Sequence, residues 1–252
     1  MLAALAPTAD EALVAWGLVL AVALAHLLPD EFSVSVGVSR HALLSATGGV
    51  SIVYAFLHLF PELDARQETV EGVSFLGWTL AAHHVYAVAF VGLALFYGLD
   101  RLAAVARGHE FSHELRSFTD APVFWVHIGG FAVYNAFIGY ALIQGETGAE
   151  NALLFGVAMA VHVVGNDAAL AQHHGEFYSR IGRHVLTAAV LLGALIGAVY
   201  TISDVPFAVL LGLLTGGIVY NAIKDELPQT EASRFWPFVV GSLAYGSLLL
   251  VL

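Results

Sequence analysis

Residues 184–223 read HVLTAAVLLGALIGAVYTISDVPFAVLLGLLTGGIVYNAI, and this stretch decides the fold. It is twice the length of one crossing, because about 20 apolar residues already span roughly 30 Å of hydrocarbon. Ser203-Asp204-Val205-Pro206 is a turn-forming interruption, so the stretch divides into two spans, 184–202 and 205–223, joined by a tight hairpin. Working outward, comparable apolar runs fall at 12–29, 41–60, 75–98, 121–143, 151–170 and 235–252. The chain therefore reads as an all-α, polytopic membrane protein, a single domain of eight transmembrane helices.

Composition points the same way. The 252 residues are 59% hydrophobic and 12% charged, with a mean hydropathy of +0.80. Soluble domains carry about 25% charged residues. Without Cys there are no disulfides and no thiolate metal sites, so any metal must be held by His, carboxylate, amide or backbone ligands. The start of the chain lacks Lys and Arg and carries Asp10 and Glu11, so the first run reads as a membrane helix and not as a signal peptide.

The bases set an orientation. One side of the eight-span scheme holds only Arg66; the other holds Arg40, Arg101, Arg107, Arg116, Arg180, Arg183, Lys224 and Arg234. Positive-inside sorting makes the second side cytoplasmic and both termini external, with a plasma-membrane location expected. The external side carries Asp10, Glu11, Glu62, Asp64, Glu68, Glu71, Glu146, Glu150 and Asp204. Such a surface concentrates cations, although a salt-adapted, nearly Lys-free protein would show the same excess.

Several polar residues fall inside apolar runs. Asp167 is the one acid within a span, and an intramembrane carboxylate costs at least about 2.5 kcal/mol, which marks it for function. In the same span His162, Asn166 and His173 share a helical face, with Asp167 and His174 one position around. The fourth span carries His127 and Tyr134 on one face, with Asn135 adjacent. His58 and His83-His84 are pathway candidates. His109 and His113 form an HxxxH spacing in the 99–120 loop, where an exposed charged segment is the simpler reading.

The order of these motifs is similar to the ZIP (Zrt/Irt-like) divalent metal transporters. Gly48-Gly49 followed by Ala55-Phe56-Leu57-His58-Leu59-Phe60-Pro61-Glu62 resembles that family's second helix. Gly216-Gly217-Ile218-Val219-Tyr220-Asn221-Ala222, followed by Asp225-Glu226-Leu227-Pro228, resembles its seventh. The resemblance covers nearly the whole chain and implies a 3+2+3 bundle with an inverted repeat. It also implies a mid-membrane metal site between helices four and five. At the matching positions Asn135 and His162 carry over; Tyr134, Ile138, Val163 and Asn166 replace a His and three acids, and Asp167 stands where the family has Gly.

The resemblance thus implies metal ligands Asn135, His162, Asn166 and Asp167. His58, Glu62, His127, Tyr134, His173 and His174 would line the pathway. With one carboxylate present, a single weakly held divalent cation (zinc or similar) is expected. The leading expectation is a ZIP-like transporter of a divalent cation, in contact with the lipid bilayer and able to form a homodimer, with no nucleic-acid partner and no enzymatic activity. The alternative is a ZIP-fold protein that no longer transports and acts as a binding or regulatory subunit. A membrane di-iron oxidoreductase is a third reading, disfavoured because no HxxHH box occurs.

Overall fold

A computed structural model describes residues 8–28, 37–70, 74–75, 78–79, 84–108, 113–144, 149–226 and 234–251. Its principal helices are α1 (Ala9–Ala25), α2 (Arg40–Ala65), α3 (His84–Gly108), α4 (His113–Gln144), α5 (Ala149–His174), α6 (Tyr178–Val199), α7 (Asp204–Lys224) and α8 (Phe235–Val251). Among the described residues the only strands are an antiparallel pair of two residues each, β1 (Ser74–Phe75) and β2 (Trp78–Thr79). Six helices, α2 to α7, have segments long and apolar enough to cross a membrane. The remaining two, α1 and α8, have 17 residues each, about 25 Å at 1.5 Å per residue.

The third apolar run differs from the sequence expectation. Helix α3 begins at His84, not near residue 75, because Ser74–Phe75 and Trp78–Thr79 pair as strands. Aromatic and β-branched residues on either side of Leu76-Gly77 favour a hairpin over a helix there. His83, His109, Leu227 and Pro228 lie outside the described residues.

Local signals explain most helix ends. Thr8 caps α1: its hydroxyl accepts from the Glu11 N–H, and Glu11 Oε2 accepts from the Thr8 N–H at 2.8 Å. Those hydrogen bonds hold the Glu11 carboxyl below its usual range. In α2 the ladder widens into a π-helical turn at Ala55–Leu59, just before Pro61, whose ring removes one N–H from the ladder. Further π-helical turns open α6 at Tyr178–Gly182 and follow Asn221 at Ala222–Glu226, at the end of α7. Gly175 ends α5 in the left-handed region at φ 56°, a conformation that glycine adopts without strain.

The bundle is organised by helix pairs: α4 packs chiefly on α6, α3 on α7, α2 on α8, and α1 on α5. Three of these pairs are reciprocal glycine contacts. A Cβ on Gly193 would meet the Ala136 carbonyl at 1.8 Å and one on Gly139 the Val190 carbonyl at 2.0 Å. Gly216 faces Ala89 and Gly92 faces Leu213 in the same way, as do Gly241 with Ala46 and Gly49 with Phe238. Such small-residue contacts let backbones approach where no hydrophobic drive pulls helices together in lipid. Large apolar side chains instead face outward, including Leu13, Phe90, Val199 and Leu243. That distribution suits contact with a lipid bilayer. Of the six, α4, α5 and α7 are the most enclosed and α3 is the least.

Candidate functional site

The polar residues of the centre come from four helices, α1, α2, α4 and α5. Within α4, Tyr134 and Asn135 are 5% and 1% exposed; within α5, His162 and Asn166 are 0% and 3% exposed. In so apolar a bundle each of these groups needs a partner. Two separate networks supply them.

The first network centres on His162. Its Nε2 receives the Tyr134 hydroxyl at 2.9 Å and the Asn166 Nδ2 amide at 3.0 Å. Its Nδ1 lies 3.0 Å from the Ser51 hydroxyl of α2. Two donors at Nε2 make that nitrogen the acceptor, so the ring proton sits on Nδ1 and is donated to Ser51. This is the tautomer a metal-binding imidazole needs, with the distal nitrogen held by a neighbour. Asn166 Oδ1 is buried and has no hydrogen-bond partner among the described residues.

The second network centres on His26, at the C-terminal end of α1 and 1% exposed. Its Nδ1 meets Asp167 Oδ1 and Oδ2 at 2.9 and 3.0 Å, and its Nε2 meets Asn135 Oδ1 at 2.9 Å. Asn135 donates its amide to the Phe131 carbonyl, which fixes Oδ1 toward the imidazole. Nε2 therefore donates to Asn135, and Nδ1 of the same ring engages both carboxylate oxygens of Asp167.

The four sequence-derived metal ligands are thus divided. His162 and Asn166 share one network, with Tyr134; Asn135 and Asp167 share the other, with His26. Ile138 and Val163 are both fully buried apolar side chains at positions where the resemblance implies acids. Among the described residues no group of three or more His, Asp or Glu is arranged to hold a metal.

No protein-family model matches the chain, and no curated protein matches it. The motifs quoted above therefore carry the family resemblance alone.

The pathway candidates are distributed along the bundle. His58 stacks on Tyr54 at 5.0 Å in the π-helical turn of α2. Glu62 pairs with Arg66 (Nε to Oε1, 2.8 Å), and the Arg66 guanidinium lies 4.7 Å above the Phe207 ring of α7. At the other end His127 Nδ1 lies 2.8 Å from His174 Nε2. His173 is within electrostatic reach of Asp100 of α3, which Lys224 and Tyr220 of α7 bind. Between this end and His162 the rings of Phe96, Phe131 and Tyr134 pack edge-on at 5.1 to 6.3 Å.

Sequence reasoning missed His26 and Ser51. Ser51 gave no signal, since a small hydroxyl in a membrane helix is unremarkable. His26 gave one: an ionisable side chain inside an apolar run, the same criterion that marked Asp167.

Proposed function

We propose that this protein is a ZIP-like membrane transporter that moves a single divalent cation through the His162 network. The observation that carries this reading is the buried Oδ1 of Asn166, without a partner among the described residues, beside an imidazole whose other nitrogen Ser51 already holds. Turning the Asn166 amide by half a rotation exchanges Nδ2 for Oδ1. His162 Nε2, Asn166 Oδ1 and the Tyr134 oxygen then face one point. One imidazole with two neutral oxygens suits a borderline cation of the zinc class, held weakly.

The architecture supports the same reading. In this scheme all eight helices cross, both termini are external, and the protein sits in the plasma membrane. The principal helix pairs are unchanged when α1, α2, α3 and α4 are exchanged with α6, α7, α8 and α5, as an inverted repeat requires. Both α2 and α7 carry a π-helical turn in their C-terminal half, each opening on an Ala (Ala55 and Ala222).

A second reading, a binding or regulatory subunit that no longer transports, is favoured by the engagement of Asp167 with His26. A dication at His162 would find that carboxylate already committed to another partner, with its own desolvation left to offset.

Uptake of radiolabelled Zn²⁺, Mn²⁺ and Cd²⁺ into proteoliposomes separates the two. Transport predicts saturable uptake of at least one ion that His162→Ala abolishes. Metal binding without uptake supports the regulatory reading, and uptake unchanged by His162→Ala removes His162 from the pathway.

A further inference from the structure

The Arg-rich end of the bundle holds a pair of histidines that the central network does not use. His127, 5% exposed, and the partly buried His174 come from α4 and α5, and their ring nitrogens Nδ1 and Nε2 approach to 2.8 Å. Aromatic rings wall them in. Phe131 lies edge-on to His127 at 5.3 Å, Phe124 edge-on to His174 at 5.2 Å, and Phe177 against Phe124 at 4.9 Å. These contacts hold the two rings so that one nitrogen from each helix meets the other in a hydrogen bond.

We propose that His127 and His174 form a binding site for one borderline divalent cation, separate from His162. Convergent neutral imidazoles are the ligands that zinc, cobalt, nickel and copper share. A tetrahedral ion with Zn–N bonds of about 2.0–2.1 Å sets its two nitrogens about 3.3 Å apart, roughly half an ångström wider than here. His174 can supply that opening, because the next residue, Gly175, ends the helix in a left-handed conformation. No net proton is lost on binding: the proton between the rings moves, through solvent, to the outer nitrogen of the ring that carried it. Water completes the coordination.

The surroundings make this a weak, exchangeable site. Among the described residues, the charged and titratable neighbours within electrostatic reach of His127 besides His174 are His173, Asp100 and Lys224, and Asp100 is already bound by Lys224. Two neutral nitrogens therefore hold the ion without a committed carboxylate.

The test uses the full chain in lipid nanodiscs carrying His162→Ala, so the readout is independent of the central site. Failure of uptake by the wild type leaves this site standing, and failure here leaves the transport reading standing. Co²⁺ is titrated and its visible d–d absorption followed. The expected result is one tetrahedrally coordinated ion, with affinity at least tenfold weaker in His127→Gln and in His174→Gln. His173→Gln should stay within about threefold. Affinity unchanged in both pair variants, or lost only with His173→Gln, overturns the proposal. If either variant does not fold, the other decides together with X-ray absorption of the Zn²⁺-loaded His162→Ala protein. Fewer than two imidazole nitrogens on the metal overturns it.

Discussion

Tyr134 and Asn135 are consecutive in α4, and Asn166 and Asp167 are consecutive in α5, yet each pair is divided between two networks of opposite character. Consecutive helical residues point about 100° apart, so a two-residue polar motif necessarily serves two faces. One face, toward α1, joins Asn135 and Asp167 to His26 and contains the ionisable carboxylate. The other, toward α2, joins Tyr134 and Asn166 to His162 and Ser51 and is neutral throughout. The network with the carboxylate is fully satisfied, whereas the neutral one leaves Asn166 Oδ1 without a partner among the described residues. The ionisable carboxylate sits where it ties three helices together, and the neutral groups sit where one acceptor is left over among the described residues.

The largest expected effect breaks the charged network. Replacing His26 with Ala leaves a part-buried carboxylate and a buried amide oxygen unpaired, a loss of about 3–5 kcal/mol by analogy with other buried pairs. Unfolding of the purified protein by graded denaturing detergent measures it. Asp167→Asn should cost less, since an amide still accepts from the imidazole. If His26→Ala is no more damaging than Ser51→Ala, the distinction between the networks fails.

The next effect sharpens the comparison by moving charge across it. Asn166→Glu with Ile138→Glu restores acids where the family resemblance implies them. Zn²⁺ or Cd²⁺ binding, followed by calorimetry, should tighten about tenfold or more, worth about 1.4 kcal/mol. The metal-free variant should unfold more easily, because Ile138 is fully buried and nothing there pairs a carboxylate. Tight binding of two metals by the wild type would show that the neutral set is not the whole site.

A smaller effect tests the tautomer. Ser51→Ala removes the acceptor for the His162 Nδ1–H and should cost about 1–2 kcal/mol, the desolvation of one buried donor. Its metal affinity should also fall, because the imidazole is no longer oriented. Stability lost with affinity unchanged would make Ser51 a packing residue only.

How much of this was legible in the sequence depends on the range of the interaction. Apolar runs, the Ser203-Asp204-Val205-Pro206 hairpin and the interior position of Asp167 follow from composition and local pattern. The division of the site does not. His26 lies 141 residues from Asp167 and 109 from Asn135, and Ser51 lies 111 from His162. The sequence marked Asp167 as costly without naming the group that engages it. Likewise Asp100 and Lys224 read as separate loop charges, and only the packing of α3 on α7 makes them a pair. The third helix was misplaced for a local reason: hydropathy alone does not separate a short hairpin from a membrane helix.

The smallest effect is expected from Tyr134→Phe, and it discriminates most finely. The ring packs edge-on against Phe96 at 5.1 Å and Phe131 at 6.3 Å, contacts that phenylalanine keeps. Only the hydroxyl is lost, and Nε2 of His162 still receives the Asn166 amide. The stability change should therefore stay below about 1 kcal/mol. Cation binding should respond differently, because the phenol oxygen is one of only three neutral ligands facing the proposed ion. Stability nearly unchanged with Zn²⁺ affinity reduced several-fold places Tyr134 on the ion. Affinity equal to wild type would leave His162 and Asn166 as its only ligands, and the neutral network would then serve mainly to hold α2, α4 and α5 together.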